Sequence, residues 1–245
     1  MKLEPEVIIR GEDLSHANFA DLDLTGAVFE ECVLRDVRLA GTTCESVRFL
    51  RCQFVRCHFA KVEFRDAQFL DCDFTDEDGH TGAHFPLTRM EQTRFQRCNL
   101  SFAKFERCDM YSVRIEGCNL RGSALVRSDF SRSFSRKVVK SAGWMTDCNF
   151  EFANLAGLKA PECDWRDCRF REAVMHQVDL EGADLRGADF TRASLDGARM
   201  ARADLRGAEI AGINLMTLSS FEDMKISSDQ QHVLLLALGI DVHVE

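Results

Sequence analysis

The sequence predicts an all-β solenoid of square, 20-residue coils, with two projecting loops and a C-terminal helix. Three observations carry this. A large apolar residue recurs every five positions through most of the 245 residues, and a small residue sits two positions before each one. Cysteines recur at intervals of 20, as Cys32, Cys52 and Cys72, as Cys98 and Cys118, and as Cys148 and Cys168. A period of five matches neither a helix, at about 3.6 residues per turn, nor an alternating strand. It matches a chain that turns a corner every five residues. Four corners close one coil, and coils stack at strand spacing, roughly 4.8 Å apart.

The repeat runs from about Ile9 to Leu215. Its first block places Leu14, Phe19, Leu24, Phe29, Leu34 and Leu39 at the centres, then Cys44, then every fifth residue from Phe49 to Phe74. A second block, one residue out of phase, runs from Phe95 through Leu100, Phe105, Met110, Ile115, Leu120 and Leu125 to Phe130. A third includes Phe150, Leu155, Trp165, Phe170, Met175 and Leu180 and ends at Leu215, with Ala183, Ala188, Ala193, Ala198, Ala203 and Ala208 as the small partners. Both the centre and the residue two before it should point inward.

Composition narrows the function. Hydrophobic residues are 45% of the chain and charged residues 29%, which is the profile of a folded globular protein. A net charge of −9 argues against a general nucleic-acid binder, which needs a basic face to displace counterions. No apolar run approaches a membrane span, and acidic residues occupy the region where a signal peptide would be apolar, so a cytoplasmic location is expected.

Ten of the 11 cysteines fall at the small inward position and Cys44 at a centre, so all should be buried packing residues. No close pair suggests zinc, and His80 with His84 is better read as part of a solvated loop than as a metal site. No nucleophile elbow, phosphate-cradling glycine loop or dinucleotide fingerprint is present, so neither enzyme activity nor a cofactor is expected.

The repeat breaks twice. Residues 75–93 contain the phase shift, the Asp76, Glu77 and Asp78 cluster, Pro86, and Phe85, which is expected to be exposed. Residues 131–147 keep the phase but put Ser135 and Lys140 where apolar centres belong, among Arg132, Arg136 and Lys137. Both segments are expected to project as loops. Residues 101–150 carry nine basic against five acidic residues, whereas residues 1–50 carry five against ten and residues 201–245 three against seven. Acidic flanks around a basic loop fit a protein that docks on a DNA-handling protein.

The tail divides from the solenoid, residues 1–218 forming the coils and 219–245 the cap. Ser227 with Gln230, or Ser228 with Gln231, makes a capping box, and Gly239 suits a left-handed stop, so a helix is expected over about 229–238. It is apolar on nearly every side. One face should cover the open end of the solenoid. Val233, Leu234, Leu235, Leu238, Ile240 and Val242 are expected at a two-fold dimer interface, the alternative being a monomeric cap whose extra apolar side chains fold over the last coil.

The chain resembles the pentapeptide-repeat proteins, a family whose members form a right-handed quadrilateral β-helix. Within that family the two loops, the run from Cys148 to Leu155, Trp165, and Leu234 to Val242 resemble the quinolone-resistance (Qnr) group. That resemblance implies a DNA-mimicking dimer, joined through its C-termini, that binds DNA gyrase and topoisomerase IV and protects them from quinolones. Carried onto this sequence, it makes Asp76, Glu77, Asp78, His80, His84, Phe85, Arg132, Phe134, Arg136, Lys137, Lys140 and Trp144 the topoisomerase-contacting loop residues. The first loop departs from the group in its length and its proline, the second in its basic charge. The other classes open to such a chain are an interaction scaffold with a different partner and a secreted effector.

Overall fold

A computed structural model describes residues 2–76, 78–135 and 138–240. The chain is the expected β-solenoid. One face is a seven-stranded parallel sheet of Ile8–Arg10, Val28–Glu30, Arg48–Leu50, Gln68–Leu70, Arg94–Gln96, Val113–Glu116 and Gly143–Thr146. Register steps by 20 from Ile9 to Phe29, Phe49 and Phe69. It then steps by 26 to Phe95 and by 30 from Ile115 to Met145. Isolated parallel bridges continue this face from Trp144 through Asp164, Asp184 and Asp204 to Lys225. Numbering the faces along the chain, this is the first; Leu14, Phe19 and Leu24 begin the second, third and fourth.

The inward columns make the core. Phe29, Phe49, Phe69 and Phe95 stack with ring centroids 4.9, 5.1 and 4.7 Å apart, and Phe59, Phe85 and Phe105 at 4.6 and 4.7 Å. These distances match the coil rise, so an identical residue one coil on continues each stack. The small inward residues add polar rungs between coils. Thr42 donates its hydroxyl to the Phe19 carbonyl at 2.6 Å, Ser128 to Phe105 at 3.2 Å, and Cys52 its thiol to Phe29 at 3.4 Å. All 11 cysteines are free and buried. At the corners the backbone repeatedly enters the left-handed region, with φ 70° at Gly187 and 54° at Asp71.

The two insertions enter the repeat at the same point, just after the residue that follows a centre. Removing 76–81 would join Thr75 to Gly82, and removing 132–141 would join Ser131 to Ala142, leaving unbroken five-residue spacing in both cases. The first insertion therefore has six residues and the second ten. They sit at diagonally opposite corners, between the second and third faces and between the fourth and first. Two and a half coils separate them, or ~12 Å along the axis.

The coils extend further than the apolar pattern. Arg199 bridges Ser220 and Asp204 bridges Lys225, so the solenoid passes the expected ends at 215 and 218. Those last steps are 21 residues because a 3-10 turn at Leu215–Thr217 absorbs one extra residue, pushing Met216 outward and hiding the final coil from a five-residue count. The cap then begins as a 3-10 turn, Ser228–Gln230, and continues as an α-helix, Gln231–Ala237. Gln230 is buried in the solenoid end. Its Oε1 accepts from the Ser227 N–H at 2.6 Å, and its Nε2 donates to the carbonyls of Leu205 and Ala208 at 2.8 and 2.7 Å. Gly239 is left-handed, as expected, and the next N–H, of Ile240, closes back on the Leu235 carbonyl at 2.9 Å.

Candidate interaction surface

The first insertion is tighter than the expected 75–93 loop. Thr75 and Gly82 close it with an antiparallel bridge. Asp76 pins the turn by accepting from the N–H groups of His80 and Thr81 and from the Thr81 hydroxyl, at 2.8, 3.1 and 2.8 Å. These donors, Thr81 foremost, hold its carboxyl below the ordinary value. Gly82 is needed there for space: a Cβ would lie 2.3 Å from the Ala103 backbone nitrogen. Asp78 and His80 are exposed on the turn; Glu77 lies outside the described residues.

Two expected loop residues belong to the coil instead. His84–Pro86 is a strand of the third face, paired with Lys104–Glu106. Phe85 is fully buried between Phe59 and Phe105, and His84 is half-buried with its ring 4.8 Å from that of His58. The insertion shifts the phase by one residue, and Phe85 is the centre at which the new phase begins.

The second insertion is a hairpin, Ser131–Ser135 paired antiparallel with Val138–Ser141. Arg136 and Lys137 lie outside the described residues. The described part is less basic than its composition suggests, because Arg132 folds onto the coil wall. There it pairs with Glu91, approaches Asp109 at 3.6 Å and lies 5.1 Å over the Tyr111 ring. Phe134 packs edge-on against Tyr111 at 5.7 Å, with the Lys140 ammonium 5.9 Å above it. Even so, Phe134 is 57% and Val139 61% exposed, and Val138 is exposed beside them. An apolar finger with a cationic flank therefore stands on a rigid wall. Glu91 and Tyr111 escaped sequence reasoning, although they lie 40 and 20 residues before Ser131 and the coil period places them under the hairpin.

Trp144 is also on the coil, not in the loop. It lies in the first-face strand Gly143–Thr146, opposite Arg114, whose guanidinium sits 4.1 Å over its ring. Being the residue before Met145, it takes an outward position of the repeat.

The surface charge is largely paired in places. On the first face Asp164, Asp184 and Asp204 stack coil upon coil, and Arg166, Arg186 and Arg206 clamp them at 2.7, 2.6 and 2.7 Å. The arginine contacts hold the Asp184 and Asp204 carboxyls below their ordinary value. A column that reads as acidic is close to neutral there.

At the C-terminal end, Leu234 is only 7% exposed and packs into its own solenoid, so it is a cap residue and not a free interface residue. Val233 and Leu235 are half-buried, whereas Leu236, Leu238 and Ile240 are 49%, 40% and 48% exposed. Val242 lies outside the described residues. Among the described residues no helix is long and apolar enough to cross a membrane.

Two family models match the sequence. One, described as a pentapeptide repeat region, matches residues 47–125; the other, pentapeptide repeats in eight copies, matches 13–49, 148–187 and 183–217. The stretch between them, 126–147, contains the hairpin. No curated protein matches the sequence. Among solved structures, a trypsin-treated form of QnrB1, described as a plasmid-mediated fluoroquinolone resistance protein, matches with a TM-score of 0.73 at 19% identity, covering 97% of this chain and 99% of that one. A second trypsin-treated form gives 0.68 at 19% over 98% and 99%, and the full-length form 0.59 at 18% over 97% and 99%. Repeat, register and whole-length likeness agree: the chain belongs to the pentapeptide-repeat family and has the fold of QnrB1.

Proposed function

We propose that this chain binds type II topoisomerases, DNA gyrase or topoisomerase IV, in the cytoplasm and protects them from quinolones. The observation that carries the reading is the hairpin. Phe134, Val138 and Val139 are held out on a rigid wall, where apolar exposure marks a contact surface. The whole-length fold likeness to a fluoroquinolone resistance protein supports the choice of partner. In this reading the hairpin makes the main contact and the pinned turn at Asp76 a second one. Charge mimicry of DNA rests on the acidic excess of residues 1–50, ten acidic against five basic, although Glu30, Glu31, Asp36 and Glu45 there are paired with arginines as the Asp164 column is. Two copies join through Leu235, Leu236, Leu238 and Ile240, which covers their exposed apolar surface.

The neutralised column also favours a second reading, an interaction scaffold for a different protein that needs no resemblance to DNA. A gyrase supercoiling assay with and without ciprofloxacin separates the two. Protection at stoichiometric protein supports the first. Unchanged drug sensitivity of both gyrase and topoisomerase IV leaves the scaffold.

A further inference from the structure

Beside the foot of the hairpin, the first face carries a groove of about 580 Å³. Strand register stacks Gln68, Arg94, Arg114 and Trp144 on successive coils along it. The column spans ~14 Å, the length of about four extended residues. We propose that this groove seats a carboxylate-bearing peptide segment of a partner protein.

Two guanidinium groups on adjacent coils form the centre of the groove. Arg114 forms no ion pair among the described residues, and its guanidinium carbon sits 4.1 Å over the Trp144 ring, which leaves its N–H groups for a carboxylate. Arg94 has one distant carboxylate, Glu116 at 3.6 Å, and its Nε, shielded from solvent, has no hydrogen-bond partner. This differs from the far half of the same face, where Arg166, Arg186 and Arg206 are each spent on a neighbouring aspartate. The amides of Gln68 and Gln92 on the groove wall add donors and acceptors suited to a peptide backbone.

The charge around the groove selects a peptide over a polyphosphate. Asp66 lines the same groove, and the whole chain carries −9, so a dense row of phosphates would be repelled. A segment with one or two carboxylates meets Arg94 and Arg114, leaves Asp66 free to accept backbone N–H groups, and lays an apolar side chain against Trp144.

Trp144 also supplies the readout, because the only other tryptophan, Trp165, is buried in the core. A Glu-rich decapeptide is titrated into the full chain and tryptophan emission recorded, with a Lys-rich decapeptide as control. The expected result is a saturable change with the acidic peptide alone, weakened by salt. The double variant Arg94→Gln, Arg114→Gln should weaken it by about tenfold or more while keeping the parent circular dichroism and thermal transition. Trp144→Phe should remove the signal yet retain heat of binding in calorimetry. Absence of a saturable change, or undiminished binding by the double variant, overturns the proposal. Tighter binding of inorganic phosphate or of a short DNA duplex overturns it as well, in favour of a phosphate ligand. No topoisomerase enters the experiment, so its outcome is independent of the proposed protection.

Discussion

Cys108 donates its thiol to the carbonyl of Phe85, one coil earlier, at 3.0 Å. Thr88 does the same to Phe59 at 2.7 Å and Ser128 to Phe105 at 3.2 Å. At these positions the residue two before a centre is thus both a small packing group and a donor to a core carbonyl. Cys108→Ser keeps that donor and Cys108→Ala loses it. The serine variant should be more stable than the alanine variant by about 1 kcal/mol, measured by urea unfolding. Equal stability of the two would show that the rung contributes nothing.

Burial pushes the thiols of Cys57 and Cys108 up to about 12, from an ordinary value of 9.0. The unfolded chain releases these protons near pH 9, while the folded chain holds them to about 12. Between those values the unfolded state binds fewer protons, so stability is complete below pH 9 and falls as pH rises. Unfolding midpoints should decline steadily from pH 9 upward, and more gently in Cys57→Ser, Cys108→Ser. The same burial predicts that native thiols react slowly with a thiol reagent at pH 8 and rapidly in denaturant.

Deleting residues 132–141 joins Ser131 to Ala142 in correct register, so the shortened chain should fold with a near-parental thermal transition. It should lose protection of gyrase. Deleting 76–81 tests the first insertion in the same way. A deletion variant that folds and still protects would remove that insertion from the contact surface. Phe85→Ala should behave oppositely, lowering stability by about 3 kcal/mol or more through loss of its stacks with Phe59 and Phe105.

The helix separates assembly from capping. Leu236→Asp places its charge on an exposed position, so it should leave the monomer folded and convert a dimer to a monomer in sedimentation. Leu234→Asp buries an unpaired charge at the solenoid end and should lower the thermal transition markedly. A parental chain that sediments as a monomer at micromolar concentration would end the dimer reading.

The coil was legible because each centre repeats one steric requirement every five residues. The insertions were legible only as far as their lengths disturb that count. Six residues shift the phase by one, which announces the first insertion but allows the break to be placed anywhere between Phe74 and Phe95; Phe85 was misplaced for that reason. Ten residues are two whole repeats, so the second leaves no phase signal and is betrayed only by Ser135 and Lys140 at impossible centres. Trp144 was readable, since counting back five from Phe150 makes Met145 a centre and Trp144 its outward neighbour. The pairing of Arg132 with Glu91 was not, because it depends on how the hairpin leans. The end of the solenoid was concealed by one extra residue near Met216.

The diagonal placement of the two insertions limits the shape of any partner that grips both. A flat surface laid against this rod can meet the hairpin or the pinned turn, but not the two together. An enzyme that holds both must offer facing walls, and the protein must enter between them like a bolt between jaws. The gap would have to accept the full width of a coil, and the ~12 Å axial offset would fix which wall meets which finger. Engagement of that kind admits one sliding direction and one rotation, and it would exclude anything else of rod-like girth from the same opening.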